Sequence, residues 1–316
     1  MLEKKITIPI RERIALSQEK NFPAEIHIEP TNHCNKACYM CPMKDRYKRD
    51  IFPMGYMDFD LYKGLIDEAS AIHGNKLTVN LHKDGEPLMH PRIGDMAKYA
   101  KDKGAFVHFA TNGLLLRKKK KEIVNSGMDL LTLSTIDDSV VNIVKDFMEY
   151  KRDKPPFLQV KLFDSSGAHE KKRLGRMVKA GQPELRWASS YDPLSKWKAS
   201  RVDGYYIFAG WHKWTDASEF NKKAACTKIL YSMAITWEGI LNSCCLDYRR
   251  DMKLGQFPKN TIKEGWDRLQ KVHRNQHKGI WIKPCTTCDY YQRLSEDETK
   301  LIASWEIGDI SLASHG

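Results

Sequence analysis

Three cysteines near the start of the chain have a spacing that suits a metal cluster. Cys34, Cys38 and Cys41 lie in the segment TNHCNKACYMCP, residues 31–42. A loop this short can wrap one face of an iron–sulfur cluster and bring three thiolates to three of its irons. The fourth iron then has no cysteine, whereas structural zinc and iron–sulfur sites normally close with four protein ligands. The segment therefore predicts a [4Fe–4S] cluster with an open coordination position, where a small molecule can bind.

The other five cysteines form a second group after residue 225. Cys226 and Cys244 flank a predicted β-hairpin and can meet the turn formed by Cys285-x2-Cys288, so that four thiolates close one site. Consecutive strand residues point to opposite faces, so we expect Cys244 to be a ligand and its neighbour Cys245 to be a spare thiol. A structural zinc ion accepts the same four thiolates and is the alternative for this site.

The elements that position the first cysteines are repeated strand–helix units. The predicted strands cover 24–29, 76–81, 105–110, 130–133, 157–163 and 184–188, and the predicted helices cover 58–72, 93–102, a basic segment that ends at Gly127, 139–150 and 169–179. Strands that alternate with helices predict a parallel sheet with helices outside. Six units indicate an α/β fold, a partial (β/α)6 TIM-like barrel, whose active site lies at the carboxyl ends of its strands.

This pattern breaks after residue 192, and the rest of the chain is organised differently. A β-hairpin at 231–235 and 240–243, followed by a helix at 262–273, predicts a small α+β domain around the second cysteine group. The predicted divisions are an N-terminal extension (1–23), the partial barrel (24–192), a linker or pocket segment (193–225), the auxiliary domain (226–290) and a C-terminal tail (291–316).

The C-x3-C-x2-C motif on the loop after the first strand resembles that of the radical S-adenosylmethionine superfamily. In that family the open iron of a [4Fe–4S] cluster chelates the amino and carboxylate groups of S-adenosylmethionine. One electron then cleaves the cofactor and releases a 5'-deoxyadenosyl radical. The resemblance implies that Cys34, Cys38 and Cys41 hold this cluster and that S-adenosylmethionine is the cofactor.

The resemblance extends to a set of residues that would contact the cofactor. The segment KDGEP, residues 83–87, is similar to the family's Gly-Gly-Glu motif, with Asp84 in place of the first glycine. Met40 stands where the family usually has an aromatic residue. The cofactor-binding residues that the resemblance implies are Met40, Gly85, Glu86, Thr111, Asn112, Ser134 and Lys161. Two nearby histidines, His82 and His90, are expected to be surface or capping residues rather than ligands.

The second cysteine group resembles the Twitch and SPASM extensions of radical S-adenosylmethionine enzymes, which carry auxiliary clusters. Four cysteines fit the shorter Twitch form with one auxiliary [4Fe–4S] cluster. The chain is therefore expected to hold two [4Fe–4S] clusters. Because four protein ligands leave no open iron, the auxiliary cluster is better suited to moving electrons than to binding substrate.

The residues near the end of the sixth predicted strand are the candidates for proton transfer. Arg186, Tyr191 and Asp192 lie there, and Lys161 lies in the fifth strand. One of the four could take a proton from a substrate radical, but they could equally be ordinary residues of the barrel rim. Lys161 could instead pair with the cofactor carboxylate.

Charge and hydropathy narrow the choice of partners. The formal net charge is +12 in 316 residues, and the densest basic run, residues 117–121, has no interleaved aromatic residues. Nucleic acid is therefore an unexpected partner, and a polar small molecule, either neutral or anionic, is the expected one. No apolar run is long enough to span a membrane and residues 1–20 lack a signal-peptide pattern, so we expect no membrane partner and a cytoplasmic location.

The main function hypothesis is a radical S-adenosylmethionine oxidoreductase. It would oxidise a carbinol carbon of a sugar or aminocyclitol-like substrate, and a flavodoxin or ferredoxin type of protein would supply low-potential electrons. The alternatives are a peptide or protein maturase that makes a crosslink, an epimer or a formylglycine, and a radical epimerase. A non-catalytic electron-transfer protein with two clusters is a further alternative, although the open iron of the first site argues against it.

Overall fold

A computed structural model of the chain describes residues 8–37, 53–135, 140–162, 186–187 and 225–288. The helix predicted over 169–179, the pocket segment up to residue 224 and the tail after residue 290 lie outside these residues. So do Cys38, Met40, Cys41, Tyr191 and Asp192.

The described strands form one nine-stranded sheet in the order β6-β5-β4-β3-β2-β1-β7-β8-β9. The strands are β1 (Glu25–Ile28), β2 (Thr78–Asn80), β3 (Phe106–Thr111), β4 (Leu130–Thr135), β5 (Phe157–Leu162), β6 (Arg186–Trp187), β7 (Ser232–Ile235), β8 (Ile240–Asn242) and β9 (Lys253–Gln256). The helices are α1 (Ile10–Lys20), α2 (Phe59–His73), α3 (Ile93–Asp102), α4 (Leu116–Asn125), α5 (Val140–Lys151) and α6 (Ile262–His277).

Strands β1 to β6 are all parallel and pair in sequence order, with a helix in most of the connections between them. This arrangement confirms the predicted partial (β/α)6 barrel. Two elements are not predicted from the sequence: helix α1 in the N-terminal extension, and the short edge strand β9.

One face of the barrel strands is apolar and the other is polar. Ile26, Val79, Val107 and Leu131 occupy the face that packs against the helices, and all four are fully buried in one continuous core. Because side chains alternate along a strand, the residues between them point to the opposite, inner face of the barrel. That inner face carries polar residues, among them His27, which is described with the site below.

The hairpin after residue 231 is continuous with the barrel sheet. Strand β7 pairs in parallel with β1 over its whole length, from Glu25 opposite Ser232 to Ile28 opposite Ile235. Strands β8 and β9 then continue antiparallel. Strand β1 is therefore an interior strand of the sheet, and the loops that follow β1 and β7 leave the same sheet edge side by side.

Helix α6 fastens this hairpin to the core. The helix begins with a capping box, in which the Thr261 side chain accepts from the Glu264 backbone and Glu264 accepts from the Thr261 backbone. Its Trp266 is fully buried. At Gly265 a Cβ atom would lie 2.8 Å from side-chain atoms of both Leu241 and Met233, so glycine lets the helix approach β7 and β8 closely.

Candidate functional site

The first cysteine loop leaves β1 and is tied down at its start. The Thr31 hydroxyl donates to the Gly55 carbonyl at 2.6 Å. The Asn32 side chain donates to the Pro53 carbonyl at 2.9 Å and accepts from the Gly55 backbone at 2.9 Å. Cys34 follows directly, half-buried. The start of the loop is therefore held in place at the carboxyl end of the interior strand β1, and Cys34 lies just after this fixed part.

The loop after β2 closes against this cysteine loop. The Glu86 backbone donates to the His33 carbonyl at 2.7 Å. Gly85 has φ +79°, and a Cβ there would lie 2.5 Å from the Thr31 carbonyl oxygen and 2.7 Å from the His33 carbonyl oxygen. Only glycine fits this left-handed conformation and this close approach, which is the physical reason for a glycine at this place in the motif.

The Glu86 carboxylate joins the ends of two neighbouring strands. It accepts from the Thr111 hydroxyl at 2.6 Å, from the Asn112 backbone at 2.7 Å and from the Leu88 backbone at 3.0 Å. Burial raises the pKa of Glu86, and these three hydrogen bonds act in the opposite direction. The side chain of Glu86 is thus occupied in holding loops together, which leaves the backbone of the motif to face a ligand.

Four of the residues predicted to bind the cofactor meet around the cysteine loop. Gly85, Glu86, Thr111 and Asn112 are linked as described, and the Asn112 side chain donates to Asn35 of the cysteine loop at 2.8 Å. The predicted residues Ser134 and Lys161 lie opposite each other on β4 and β5, and Arg186 on β6 lies opposite Gln159. These strand positions are those that a partial barrel brings to its carboxyl end.

The second cysteine group comes together from three separate segments. Cys226 precedes a short 3-10 helix, Thr227–Leu230, and its backbone donates to the Gln276 side chain at 2.9 Å. Cys226, Cys244 and Cys285 pack against the main core, and Cys288 packs with Cys244 around Leu246. None of the six cysteines in the described parts of the chain, the five of this group and Cys34, forms a disulfide.

The surroundings of these thiols suit a cluster that carries positive charge. Burial raises the pKa of the Cys226 thiol, and it raises the pKa of Cys244 well above the usual value, with the neighbouring Cys245 and Cys285 adding to the shift. Thiols gathered in this way ionise when a metal centre supplies the compensating charge. No three His, Cys, Asp or Glu side chains among residues 8–37, 53–135, 140–162, 186–187 and 225–288 converge on a single-ion site.

The prediction that Cys244 and Cys245 are consecutive strand residues with side chains on opposite faces is wrong. Strand β8 ends at Asn242, so both cysteines lie in the turn that follows it. Their surroundings distinguish them instead. Cys244 packs against the main core, as Cys226 and Cys285 do, and also against Leu246, whereas Cys245 packs in the small cluster around Leu246. Cys244 therefore remains the predicted ligand, for a reason that only the packing provides.

A chain of polar side chains crosses the inner face of the barrel, and the sequence analysis did not identify it. His27 Nε2 lies 2.6 Å from Glu25 Oε1 and 3.4 Å from the Asn80 side chain. The Asn80 carbonyl oxygen lies 2.9 Å from His108 Nδ1, and His108 Nε2 lies 2.8 Å from the Thr132 hydroxyl. We call these five residues the lumen network. A signal was present in the sequence, because each polar residue alternates with an apolar residue on its strand.

The surroundings of the lumen network keep His27 uncharged. Burial lowers the pKa of His27 well below its usual value, and the nearby cations Lys228 and Arg13 lower it further. Arg13 also forms an ion pair with Glu25. His27 is therefore a neutral imidazole at physiological pH, and its Nε2 lies within hydrogen-bonding distance of Glu25.

The two histidines beside the Glu86 turn differ in their surroundings. His90 is buried and structural: it donates from Nε2 to the Met57 carbonyl at 3.1 Å and accepts from the Arg92 backbone at 3.1 Å. His82 lies next to the lumen network, with its ring 5.8 Å from that of His27 and 5.1 Å from that of His108. His82 is half-buried, and its Nδ1 accepts from the Ala110 backbone at 3.3 Å, so its expected role as a surface or capping residue stays a prediction.

Two family comparisons match the two halves of this arrangement. Residues 28–153 match the Radical SAM superfamily, where SAM is S-adenosylmethionine. Residues 226–289 match SPASM, an iron–sulfur cluster-binding domain. The second match spans Cys226, Cys244, Cys285 and Cys288.

Individual proteins show the same likeness. Over 110 residues, 34% of this chain, the sequence is 34% identical to a tungsten-containing aldehyde ferredoxin oxidoreductase cofactor-modifying protein of Pyrococcus furiosus. The matched part spans 30% of that relative's length. The fold is similar to that of BtrN in complex with AdoMet and 2-DOIA, with TM-score 0.53, 16% identity, and coverage of 84% of this chain and 93% of BtrN. It is also similar to SuiB of Streptococcus suis, with TM-score 0.52, 15% identity, and coverage of 88% and 74%.

The partial barrel and the cysteine loop after its first strand define a radical S-adenosylmethionine domain. More particularly, residues 28–153 belong to the radical S-adenosylmethionine superfamily, and residues 226–289 form a SPASM-type iron–sulfur cluster-binding domain whose strand β7 continues the barrel sheet. These two domains imply S-adenosylmethionine and [4Fe–4S] clusters, including an auxiliary cluster, as cofactors.

Replacing Gly85 by Ala is expected to remove the first cluster. The added methyl group would press on the Thr31 and His33 carbonyls and shift the cysteine loop. Anaerobically reconstituted wild-type protein should hold about eight irons, about four per cluster, and Gly85→Ala about four. The matched control is Gly127→Ala, where φ is also positive, at +69°, but a Cβ meets nothing within 4 Å. Full iron content in Gly85→Ala would contradict this account of the motif.

The neighbouring thiols can be separated by single replacements. Cys244→Ala should lose the auxiliary cluster, because Cys244 packs against the same core as Cys226 and Cys285, while Cys245→Ala should keep it. Iron and zinc analysis of the reconstituted proteins measures the difference. If Cys245→Ala loses iron and Cys244→Ala retains it, the assignment of the ligand is reversed. Stoichiometric zinc with only about four irons in wild-type protein would show that the second cysteine site holds a zinc ion and not an iron–sulfur cluster.

Proposed function

We propose that the protein is a radical S-adenosylmethionine enzyme that oxidises a carbinol carbon of a polar small molecule, such as a sugar or an aminocyclitol, to a carbonyl. The observation that carries this proposal is the lumen network on the inner face of the barrel. TIM-type barrels fill their interior mostly with bulky branched residues. In this chain that space instead presents imidazole, amide and hydroxyl groups.

The lumen network suits hydroxyl or amino groups of a substrate. Burying several polar groups in a barrel interior is costly unless they have partners, and a polar ligand provides further partners. The apolar face of the same strands is fully buried, whereas His82 and His108 remain half-buried. These two residues are therefore accessible to a molecule that enters from the carboxyl ends of the strands.

The proposed reaction needs a hydrogen-atom acceptor, a proton acceptor and an electron acceptor. When bound, S-adenosylmethionine and the clusters would supply a 5'-deoxyadenosyl radical and, at the auxiliary site, an acceptor for one electron. The substrate carbon would lose a hydrogen atom, its hydroxyl a proton and its radical an electron, which together leave a carbonyl. We assign the proton acceptor to one of Lys161, Tyr191 and Asp192, which lie on or after the last barrel strands. Arg186 stays protonated and cannot accept this proton.

The pairing of β7 with β1 supports an electron-accepting role for the auxiliary thiols. The loop that carries Cys34 follows β1, and Cys226 precedes β7 while Cys244 follows β8, so one stretch of sheet holds both groups. A cluster with four cysteine ligands leaves no position for substrate and suits electron transfer. An external low-potential donor of the flavodoxin or ferredoxin type would supply the electron that cleaves S-adenosylmethionine.

Modification of a peptide is the second candidate. The fold is also similar to that of SuiB, whose solved structures include one bound to the precursor peptide SuiA. A radical epimerase is the third candidate, because Cys245 is a thiol that could return a hydrogen atom to a substrate radical.

Among the helices that the structure describes, none has the length and apolar character of a membrane-spanning segment.

Isotope labelling distinguishes these reactions. The reconstituted protein is incubated anaerobically with S-adenosylmethionine, a reductant, and deuterium-labelled polyols and aminocyclitols, with 2-DOIA included because BtrN binds it. We expect one 5'-deoxyadenosine per product, transfer of deuterium from the carbinol carbon to 5'-deoxyadenosine, and a product that has lost two hydrogens. With unlabelled substrate, a product whose mass is unchanged in ordinary water and one unit higher in heavy water would instead establish an epimerase.

The lumen network can be tested at two positions on the same strand. Asn80→Leu removes the amide between His27 and His108 and should lower substrate-dependent formation of 5'-deoxyadenosine about tenfold or more, through the loss of buried hydrogen bonds. Thr78→Val is the matched control. Its hydroxyl is buried on the same face and has no hydrogen-bond partner, so its replacement should have little effect. Equal effects of the two replacements would exclude a specific role of Asn80.

A further inference from the structure

The loop of residues 82–86 contacts both cysteine sites. On one side, Gly85 and Glu86 lie against the Thr31 and His33 carbonyls of the first cysteine loop. On the other side, Lys83 reaches the turn that follows β8, which carries Cys244 and Cys245. This short loop is therefore a direct physical connection between the two sites.

Lys83 makes that connection with a buried charge. Its side chain is fully buried, and its ammonium group donates to the Asp84 carboxylate at 2.7 Å and to the Asp247 backbone carbonyl at 3.3 Å. Burial acts to lower the pKa of Lys83, but the carboxylates of Asp84 and Glu29 outweigh it and raise the pKa overall. Lys83 is thus a buried cation that forms an ion pair with Asp84, and buried ion pairs often contribute little to the stability of the fold. A role in holding the two loops in one arrangement accounts better for its presence.

The partner of Lys83, Asp247, is fixed to the turn that carries Cys244. The Asp247 backbone donates to the Cys244 carbonyl at 3.3 Å, and its carbonyl also accepts from the Asn242 side chain at 2.8 Å. Its carboxylate accepts from the Asp251 backbone at 3.0 Å and from the Met252 backbone at 2.9 Å. The position of the Asp247 carbonyl therefore depends on the turn that presents Cys244.

This arrangement explains why the first glycine of the motif is replaced by Asp84. A glycine there would leave the Lys83 ammonium buried without its carboxylate partner, which is strongly destabilising. The carboxylate and the ammonium occur together, and together they reach the auxiliary turn. Asp84, which stands in place of the family's glycine, therefore acts together with Lys83 as a pair.

We propose that Lys83 is a positioning residue that couples the auxiliary site to the cofactor site. When the auxiliary cluster is bound, it fixes the turn that contains Asp247. Lys83, which is bonded to this turn, then holds the Gly85–Glu86 backbone in the position that binds S-adenosylmethionine. The inference rests on the proposed cofactor chemistry but not on the identity of the substrate. By linkage, binding of S-adenosylmethionine would stabilise the auxiliary site by the same factor.

The coupling is measurable as a change in affinity for S-adenosylmethionine. The experiment compares wild type, Cys226→Ala, Lys83→Met and the combined variant, by anaerobic equilibrium dialysis and by the change that S-adenosylmethionine causes in the electron paramagnetic resonance signal of the first cluster. Removing the auxiliary cluster with Cys226→Ala should weaken binding about tenfold, within the usual range of such couplings. Lys83→Met should weaken binding to a similar extent while the protein keeps about eight irons. In the combined variant the two losses should not add.

Two further variants complete the test. Lys98→Met removes an exposed lysine that pairs with Asp102 on the surface of α3, and it should change nothing. If Lys83→Met fails to fold, Lys83→Met combined with Asp84→Gly removes both buried charges and should show the same loss of coupling. Additive losses, or an unchanged affinity in Lys83→Met or Cys226→Ala, would overturn the coupling. Absence of any S-adenosylmethionine binding by fully iron-loaded wild type would overturn the proposed function itself.

Discussion

The parallel pairing of β7 with β1 is the interaction on which the rest of this structure depends. Parallel strands send their following loops to the same edge of a sheet. Strand β1 pairs with β2 on one side and with β7 on the other. The cysteine loop after β1 therefore lies between the loop that carries Gly85 and the hairpin that leads to Cys244. Without this pairing, the two cysteine groups would belong to separate units with no fixed relation.

The interior of the protein contains two sets of buried polar groups. A buried ion pair such as Lys83 with Asp84, and a buried chain such as His27 to Thr132, add little to stability compared with apolar packing of the same volume. Both occur where the fold would allow an apolar side chain. Positions at which a chain departs from the locally most stable choice are often functional positions. In this protein one departure faces the barrel lumen and the other lies between the two cysteine sites.

Glu86 illustrates how a motif residue can act without touching the reacting atoms. Its carboxylate is used by Thr111, Asn112 and Leu88, which fixes the ends of β2 and β3 relative to each other. The glycine before it brings the backbone within reach of the cysteine loop. The motif therefore shapes a backbone surface, and the chemistry at that surface depends on the loops that the carboxylate holds in place.

The sequence by itself determined the cysteine groups, the strand–helix order of the barrel and the meeting of Gly85, Glu86, Thr111 and Asn112 at one sheet edge. These features follow from local spacing and from the rule that parallel strands end together. The pairing of β7 with β1, the lumen network around His27 and His108, and the contact of Lys83 with Asp247 were decided only by the tertiary structure. Each of them joins residues that are far apart in the chain, and no local periodicity records which distant strand or loop a residue will meet. The same limit explains Cys244 and Cys245, since the end of β8 and the packing around Leu246, rather than alternation, set their surroundings.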